Sequence, residues 1–192
     1  GRKWPMLAEL GVALTYALIS AGHRVSAAIF AERIIRWYPL GRGRRAFVTI
    51  SHQLLGHKPA AYGGASLPGL CAAHAPRSGN LVLLSDFLRA DAMADDLRLL
   101  RASAATTSAI QVIGERDAIL NVRGPSVLFD IESGAEERRD VDARSSAAAS
   151  DALQAHQRRL RDLCGSLGIP FTPCREDASW EQVLLTHLQR RA

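Results

Sequence analysis

The 192-residue chain is poor in the residues that mark disulfide-rich and zinc-binding domains. Its three cysteines, Cys71, Cys164 and Cys174, stand far apart, with no Cys-x-x-Cys pair and no Cys/His spacing typical of zinc. An odd number of cysteines without a framework of pairs is typical of a reducing compartment. The sequence therefore excludes a disulfide scaffold and favours a cytoplasmic location.

Aromatic residues are also few, at 6% of the chain, although the net charge is +5. Lys3 and Lys58 are the only lysines, so arginine supplies nearly all of the positive charge. The arginines are scattered, with small clusters at 42–45 and 158–161. A nucleic-acid-binding domain usually concentrates its charge on one face and adds aromatics or a recognisable module. We therefore expect no nucleic acid among the partners.

Long hydrophobic runs are missing as well. The most apolar stretch, residues 2–22, is interrupted by Glu9 and repeats its apolar residues at helical spacing. This pattern predicts an amphipathic helix that begins near Pro5 and ends at Gly22. We expect the chain to contain no membrane span.

The hydrophobic residues that are present make up 47% of the chain and fall into alternating strand-like and helix-like segments. Apolar runs predict strands at 25–30, 34–40, 80–86, 108–113 and 169–173, and helical periodicity predicts helices at 41–56, 91–103, 151–168 and from Ser179 onward. The segment 143–151 reads as a linker or a loop entering a helix. Residues 126–141 predict a β-hairpin added to the main sheet. The fold class is therefore α/β, a mostly parallel sheet with helices on both faces, in one domain over residues 1–192.

The segment NLVLLSDF at 80–87 carries the strongest functional signal, because an apolar strand runs directly into Ser85 and Asp86. In open α/β sheets, ligands bind beyond the carboxyl ends of the strands. A carboxylate there can hold a hard divalent ion such as Mg²⁺, act as a general base, or cap the next helix. The residues alone leave these three alternatives open.

Several segments, taken in order, resemble a bacterial family, domain-of-unknown-function family 58, which has a von Willebrand factor A-like (Rossmann-like) fold. They are AGHRVSAAIF (21–30), PLGRGRRAF (39–47), NLVLLSDF (80–87), LFDIESGAE (128–136) and a tail with Leu160, Cys164, Gly168 and Leu188. His23 stands where the family usually has Asp. The resemblance covers nearly the whole chain and implies a von Willebrand A-like sheet.

The resemblance also implies a metal-ion-dependent adhesion site, built from three loops at the carboxyl edge of the sheet. Asp86 matches the Asp of the third loop. In the second loop, Ala65 and Ser66 stand where the family has Thr, which leaves Ser66 as the hydroxyl ligand. The first loop, Asp-x-Ser-x-Ser, is missing, so we expect an N-terminally truncated fragment that lacks this loop and its strand. Asp86 and Ser66 alone would hold Mg²⁺ weakly or not at all.

The leading functional hypothesis is a non-enzymatic protein-interaction module with a partial or degenerate metal site. The resemblance suggests a MoxR-type AAA+ ATPase as its protein partner. It also suggests membrane association of a cytoplasmic protein through segments upstream of Gly1.

Two other hypotheses stay open. The first is a hydrolase or phosphoryl-transfer enzyme that uses Asp86, although the chain has no Gly-x-Ser-x-Gly, phosphate-loop or HExxH motif. The second is a metal-free scaffold, which the alanine at position 65 favours. His156 and His187 lie on helix faces and are expected to be core or boundary residues rather than catalysts.

Overall fold

The computed structural model of the protein describes residues 3–31, 33–59, 71–72, 78–88, 90–114, 117, 124–129, 136–141 and 143–190. Helices and strands alternate along this part of the chain. In order, they are α1 (Lys3–Ser20), β1 (Val25–Phe30), β2 (Ile34–Gly41), α2 (Gly43–Gly56), β3 (Asn80–Ser85), α3 (Ala90–Ser103), β4 (Thr106–Ile113), β5 (Gly124–Phe129), β6 (Glu136–Val141), α4 (Ala143–Ser166), β7 (Phe171–Arg175) and α5 (Trp180–Gln189).

The main sheet is parallel and has β4 at its centre, between β3 and β7. Among the described residues, two further pairs stand apart from it. β1 pairs antiparallel with β2, and β5 pairs antiparallel with β6. The α/β class with a parallel sheet is confirmed, but β1, β2 and the hairpin differ from prediction because they form two-stranded sheets of their own. Only three residues join β1 to β2, a connection too short for the crossover that parallel strands need.

Helices cover both faces of the parallel sheet, as the sequence predicts. On one face, α3 and α4 bury Leu97, Leu100, Leu160 and Cys164 against Leu83, Ala109 and Phe171. On the other face, α1 and α5 bury Met6, Leu10, Leu14, Val183 and Leu184 against Ile110, Val112 and Cys174. Neighbouring residues of β4 point to opposite faces, so this one strand supplies both cores.

Helix α1 also packs against the antiparallel pair. Ala8 of α1 is buried in a third cluster with Val25, Ile29, Tyr38, Ile50 and Leu54 from β1, β2 and α2. Strands β1 and β3 belong to different sheets, and α1 contacts both sheets through its side chains. Ala28 and Phe30 of β1 and Ile34 of β2 also pack against the core on the other face of the parallel sheet.

Two predicted helix ends are confirmed. Gly22 has a φ of +84°, and the N–H of His23 bonds to the carbonyl of Leu18 at 2.9 Å, which is the hydrogen bond that closes a Schellman motif. Ser179 caps α5, since its hydroxyl accepts the N–H of Gln182 at 3.4 Å.

Two other details of the helices differ from prediction. Helix α4 begins at Ala143 rather than Asp151, because the alanine-rich stretch before Asp151 favours helix. In α5, Val183, Leu184 and His187 are buried as expected, but Trp180 and Leu188 are 36% and 47% exposed. The core-facing stripe of α5 is therefore narrower than its sequence pattern suggests.

All three cysteines are buried free thiols. Burial raises the pKa of Cys164 and of Cys174 to about 11. Both thiols are therefore protonated at neutral pH and unreactive. In the part of the chain that the structure describes, no helix has the length and apolarity needed to cross a membrane.

The role of α1 gives a stability prediction. Leu10 is fully buried against the parallel sheet. We expect Leu10→Ala to lower the free energy of unfolding by about 2–5 kcal/mol, because it leaves a cavity in the core. Leu185→Ala is the matched control, since Leu185 is 61% exposed, and its effect should stay within about 0.5 kcal/mol. Urea unfolding followed by circular dichroism measures both, and equal effects would contradict the packing described here.

Candidate functional site

Asp86 lies directly after β3, at the carboxyl edge of the parallel sheet, where the sequence predicts a site. The second predicted ligand, Ser66, lies outside the described residues, as does Ala65. Strand β4 ends beside β3 at the same edge, and Asp117 follows it. The edge therefore carries a carboxylate that the sequence analysis did not select.

The ammonium group of Lys3 lies between these two carboxylates. Its Nζ is 3.0 Å from Oδ2 of Asp86 and 3.1 Å from both carboxylate oxygens of Asp117. The side chains of Lys3 and Asp86 are each 29% exposed, and that of Asp117 is 15% exposed. The three residues form one partly buried ionic cluster, which we call the Lys3–Asp86–Asp117 cluster.

The loop that carries Asp86 is fixed by its own side chains. The hydroxyl of Ser85 accepts the N–H of Phe87 at 3.1 Å, and Oδ1 of Asp86 accepts the N–H of Leu88 at 3.4 Å. Phe87 has a φ of +53°, a left-handed conformation that is strained for a residue with a side chain. Its ring is fully buried and packs edge-on against Phe171, which holds the backbone in this conformation.

Two further side chains hold this loop from inside the protein. Nε2 of Gln111 donates to the carbonyl of Asp86 at 2.9 Å. Nε2 of His156 lies 2.6 Å from the carbonyl of Phe87. A carbonyl only accepts hydrogen bonds, so this ring nitrogen carries the proton. His156 is thus a positioning residue for the loop, a more specific role than the boundary position expected for it.

Asp117 is held by the end of β4. Its Oδ2 accepts the N–H of Gly114 at 2.9 Å. A Cβ atom at position 114 would lie 3.1 Å from Cγ of Lys3 and 3.2 Å from Oδ2 of Asp117. Glycine at this position therefore leaves room for the lysine side chain to reach both carboxylates.

The electrostatics favour a permanently charged lysine. Partial burial by itself lowers the pKa of Lys3, but the charges of Asp86 and Asp117 and their hydrogen bonds together outweigh it, so the pKa is raised above 10.5. The positive potential at the N-terminus of α1 favours the two carboxylates rather than the ammonium. At neutral pH the cluster is one ammonium shared by two carboxylates.

Sequence reasoning missed Lys3 and Asp117. Asp117 had a usable signal, because it follows the end of a predicted strand as Asp86 does. Lys3 had only a weak signal, as one of two lysines in an arginine-rich chain. Its partners are 83 and 114 residues away along the chain, so only the packing of α1 shows the contact.

The cluster does not fit Mg²⁺ as it stands. Mg²⁺ requires six oxygens in near-octahedral geometry, whereas the carboxylate oxygens that face one another here are bonded to Lys3. Within the described ranges, no group of three or more His, Cys, Asp or Glu side chains is placed to hold a metal ion.

A second polar group lies in the core rather than at the edge. Nδ1 of His187 is 2.9 Å from the hydroxyl of Thr172, and Nε2 is 3.0 Å from that of Ser108. All three side chains are buried, at 3% exposure or less, so no substrate reaches them. His187 is a core histidine, as the sequence predicts.

The cluster gives a second prediction. We expect Lys3→Met to lower the free energy of unfolding at pH 7 by about 1–3 kcal/mol, because it removes charged hydrogen bonds and leaves two carboxylates together. Lys58→Met removes an exposed lysine and should change the free energy of unfolding by less than about 0.5 kcal/mol. Chemical unfolding of both variants provides the comparison.

The pH dependence follows from the raised pKa. A group whose pKa is higher in the folded state stabilises the fold fully below its unfolded pKa, which is 10.5 here. The stability difference between wild type and Lys3→Met should therefore be constant at neutral pH and shrink as the pH rises through the folded-state pKa of Lys3. A difference unchanged up to pH 12 would show that the cluster does not depend on the lysine charge.

Comparison with known proteins gives one result. A search of curated proteins and a search of solved structures each returned no match. The profile of the family described as "Protein of unknown function DUF58" matches residues 2–161, which include Lys3, Asp86 and Asp117. This match spans most of the chain and agrees with the resemblance found in its motifs, and the chain therefore belongs to the DUF58 family.

Proposed function

We propose that this protein is a non-enzymatic protein-interaction module whose contact face is the carboxyl edge of the parallel sheet. In this proposal the fold is of the von Willebrand A type and its metal-ion-dependent adhesion site is degenerate. The Lys3 ammonium takes the place of the metal, so Mg²⁺ binds weakly or not at all. The position of Lys3, within 3.1 Å of both Asp86 and Asp117, is the observation that carries the proposal.

The cluster has the properties of a recognition site. It is partly exposed, it is held in a fixed geometry by Gln111, His156 and Gly114, and one ammonium balances two carboxylates. The surplus negative charge offers a partner's arginine or lysine a charge-assisted hydrogen bond. A rigid site of this kind loses little entropy when it binds.

The proposed partner is a MoxR-type AAA+ ATPase, and this assignment rests on the family resemblance. The proposed location is the cytoplasm, with membrane association through segments upstream of Gly1. Three buried free thiols are consistent with a reducing compartment.

A hydrolase or phosphoryl-transfer enzyme has less support. The carboxylate of Asp86 already accepts hydrogen bonds from the ammonium group of Lys3 and from the N–H of Leu88. Among the described residues, no Ser, Thr or Cys nucleophile is hydrogen-bonded to Asp86. We therefore propose no reaction.

The test is binding to the MoxR-type ATPase encoded in the same genome, measured by biolayer interferometry. We expect Asp86→Asn to weaken binding at least about tenfold, because it removes the charge and keeps the shape. Asp95→Asn is the matched control, since Asp95 is an exposed carboxylate of α3 paired with Arg98, and it should bind like wild type. Circular dichroism of each variant shows whether it is folded.

The role of the metal is tested in the same assay. Binding should be equal in Mg²⁺ and in EDTA, because the cation of the site is a side chain. With nucleotide-free ATPase, from which EDTA removes no Mg²⁺–nucleotide, loss of binding in EDTA would show that the site needs a metal. Unchanged binding by Asp86→Asn would place the contact face elsewhere.

A further inference from the structure

The net positive charge of the chain comes from one part of it, where acidic residues are scarce. Residues 10–85 contain eight Arg and Lys against one acidic residue, Glu32, a net charge of +7. Residues 86–192 contain 14 Arg and 17 acidic residues, a net charge of −3. The arginines that look scattered in the sequence therefore belong to two regions of opposite sign, and the basic region holds β1, β2 and α2.

The basic side chains of this region are on the surface. The described ones are all exposed: Arg24, Arg33, Arg36, Arg42, Arg44, Arg45 and Lys58. Among the described residues, none of the ion pairs involves them. Their charge is therefore available to a partner.

The N-terminus of helix α2 shows this excess of exposed positive charge most clearly. Arg42 stands at its N-cap without a side-chain capping bond, and its first turn carries Arg44 and Arg45 and no acidic residue. Positive charges at a helix N-terminus are unfavourable, because the helix dipole is positive there. A negatively charged partner would offset this repulsion, as an acidic side chain does near a helix N-terminus.

Apolar side chains lie along the same surface. Arg45, Val48, His52 and Leu55 follow one another at 3-4-3 spacing, so they form a single stripe on α2. All four are exposed, with Val48 at 51% and Leu55 at 60%. The core contacts of the helix are made instead by Ile50 and Leu54. We call this stripe, together with Arg44, the outer face of α2.

We propose that the outer face of α2 is a docking surface for an acidic amphipathic helix of a protein partner. Val48 and Leu55 are seven residues apart, which is two helical turns, and this spacing matches the apolar stripe of a second helix. The arginines match acidic residues beside that stripe. This surface shares no residue with the Lys3–Asp86–Asp117 cluster, so the inference does not depend on the function proposed for that cluster.

Other occupants fit this surface less well. An interfacial membrane helix needs a wide apolar face, whereas this stripe has only two aliphatic side chains. Single-stranded nucleic acid stacks its bases on exposed aromatic rings. The outer face of α2 contains none besides His52.

The experiment uses a fluorescein-labelled peptide of about 21 residues with leucines at 3-4 spacing and glutamates beside them, long enough to form helix. Fluorescence anisotropy measures its binding at 150 mM NaCl. We expect a dissociation constant in the micromolar range, weakened at least about tenfold by Arg44→Glu/Arg45→Glu and by Val48→Ser/Leu55→Ser. Amide shifts in NMR spectra should concentrate on residues 42–56.

Matched control variants distinguish specific docking on α2 from non-specific electrostatic or hydrophobic attraction. Arg158→Glu/Arg161→Glu makes the same charge change at exposed positions of α4, and Leu185→Ser removes an equally exposed leucine of α5. Both should leave binding within about twofold of wild type, which is about 0.4 kcal/mol. A peptide of the same composition with its leucines redistributed should bind at least about fivefold more weakly.

Several results would overturn the inference. They are no saturable binding, equal binding of the two peptides, or equal loss of binding in the α4 control. Tighter binding of a single-stranded DNA 20-mer, or of phosphatidylserine vesicles, under the same conditions would assign the surface to nucleic acid or to membrane instead.

Discussion

The packing of α1 is the constraint on which the rest of the structure depends. Met6, Leu10 and Leu14 fill the core beneath the parallel sheet, while Ala8 is buried against the antiparallel pair and α2. A helix that packs against two hydrophobic cores must be apolar around most of its circumference. Its sequence meets this requirement, with Glu9 as its one acidic residue.

The same packing places the site. Lys3 belongs to the first turn of α1, so its ammonium group reaches the carboxyl edge of β3 and β4 only while the helix stays docked. Two neighbouring carboxylates repel each other and need a cation. A metal ion would have to bind from solution, whereas the docking of α1 during folding places the Lys3 ammonium beside the two carboxylates. Undocking of α1 would therefore remove the ammonium group from the two carboxylates, so the charge balance of the site depends on the folded state.

The sequence predicted local features well and long-range ones poorly. The position of Asp86 at the carboxyl edge of the sheet was predicted correctly, because an apolar strand that ends in a carboxylate is a local pattern. Its role as a metal ligand stays a prediction. Lys3 and Asp117 were missed, because their contact depends on the docking of α1 across 83 and 114 residues of chain. The sequence also placed β1 in the main parallel sheet, because its apolar composition is typical of a parallel strand. In the structure β1 pairs antiparallel with β2, a partner that composition does not reveal. Ser66 lies outside the described residues and stays a prediction.

The most direct test of the central claim uses the fact that the chain has only two lysines, Lys3 and Lys58. Protein labelled with ¹³C-lysine gives two ε-carbon signals, and Lys58→Met identifies them. The account predicts that the Lys3 signal titrates above the ordinary lysine pKa of 10.5, and that Mg²⁺ does not move it. A Lys3 pKa at or below 10.5, or a Lys3 signal displaced by Mg²⁺, would contradict the claim that this ammonium is the cation of the site.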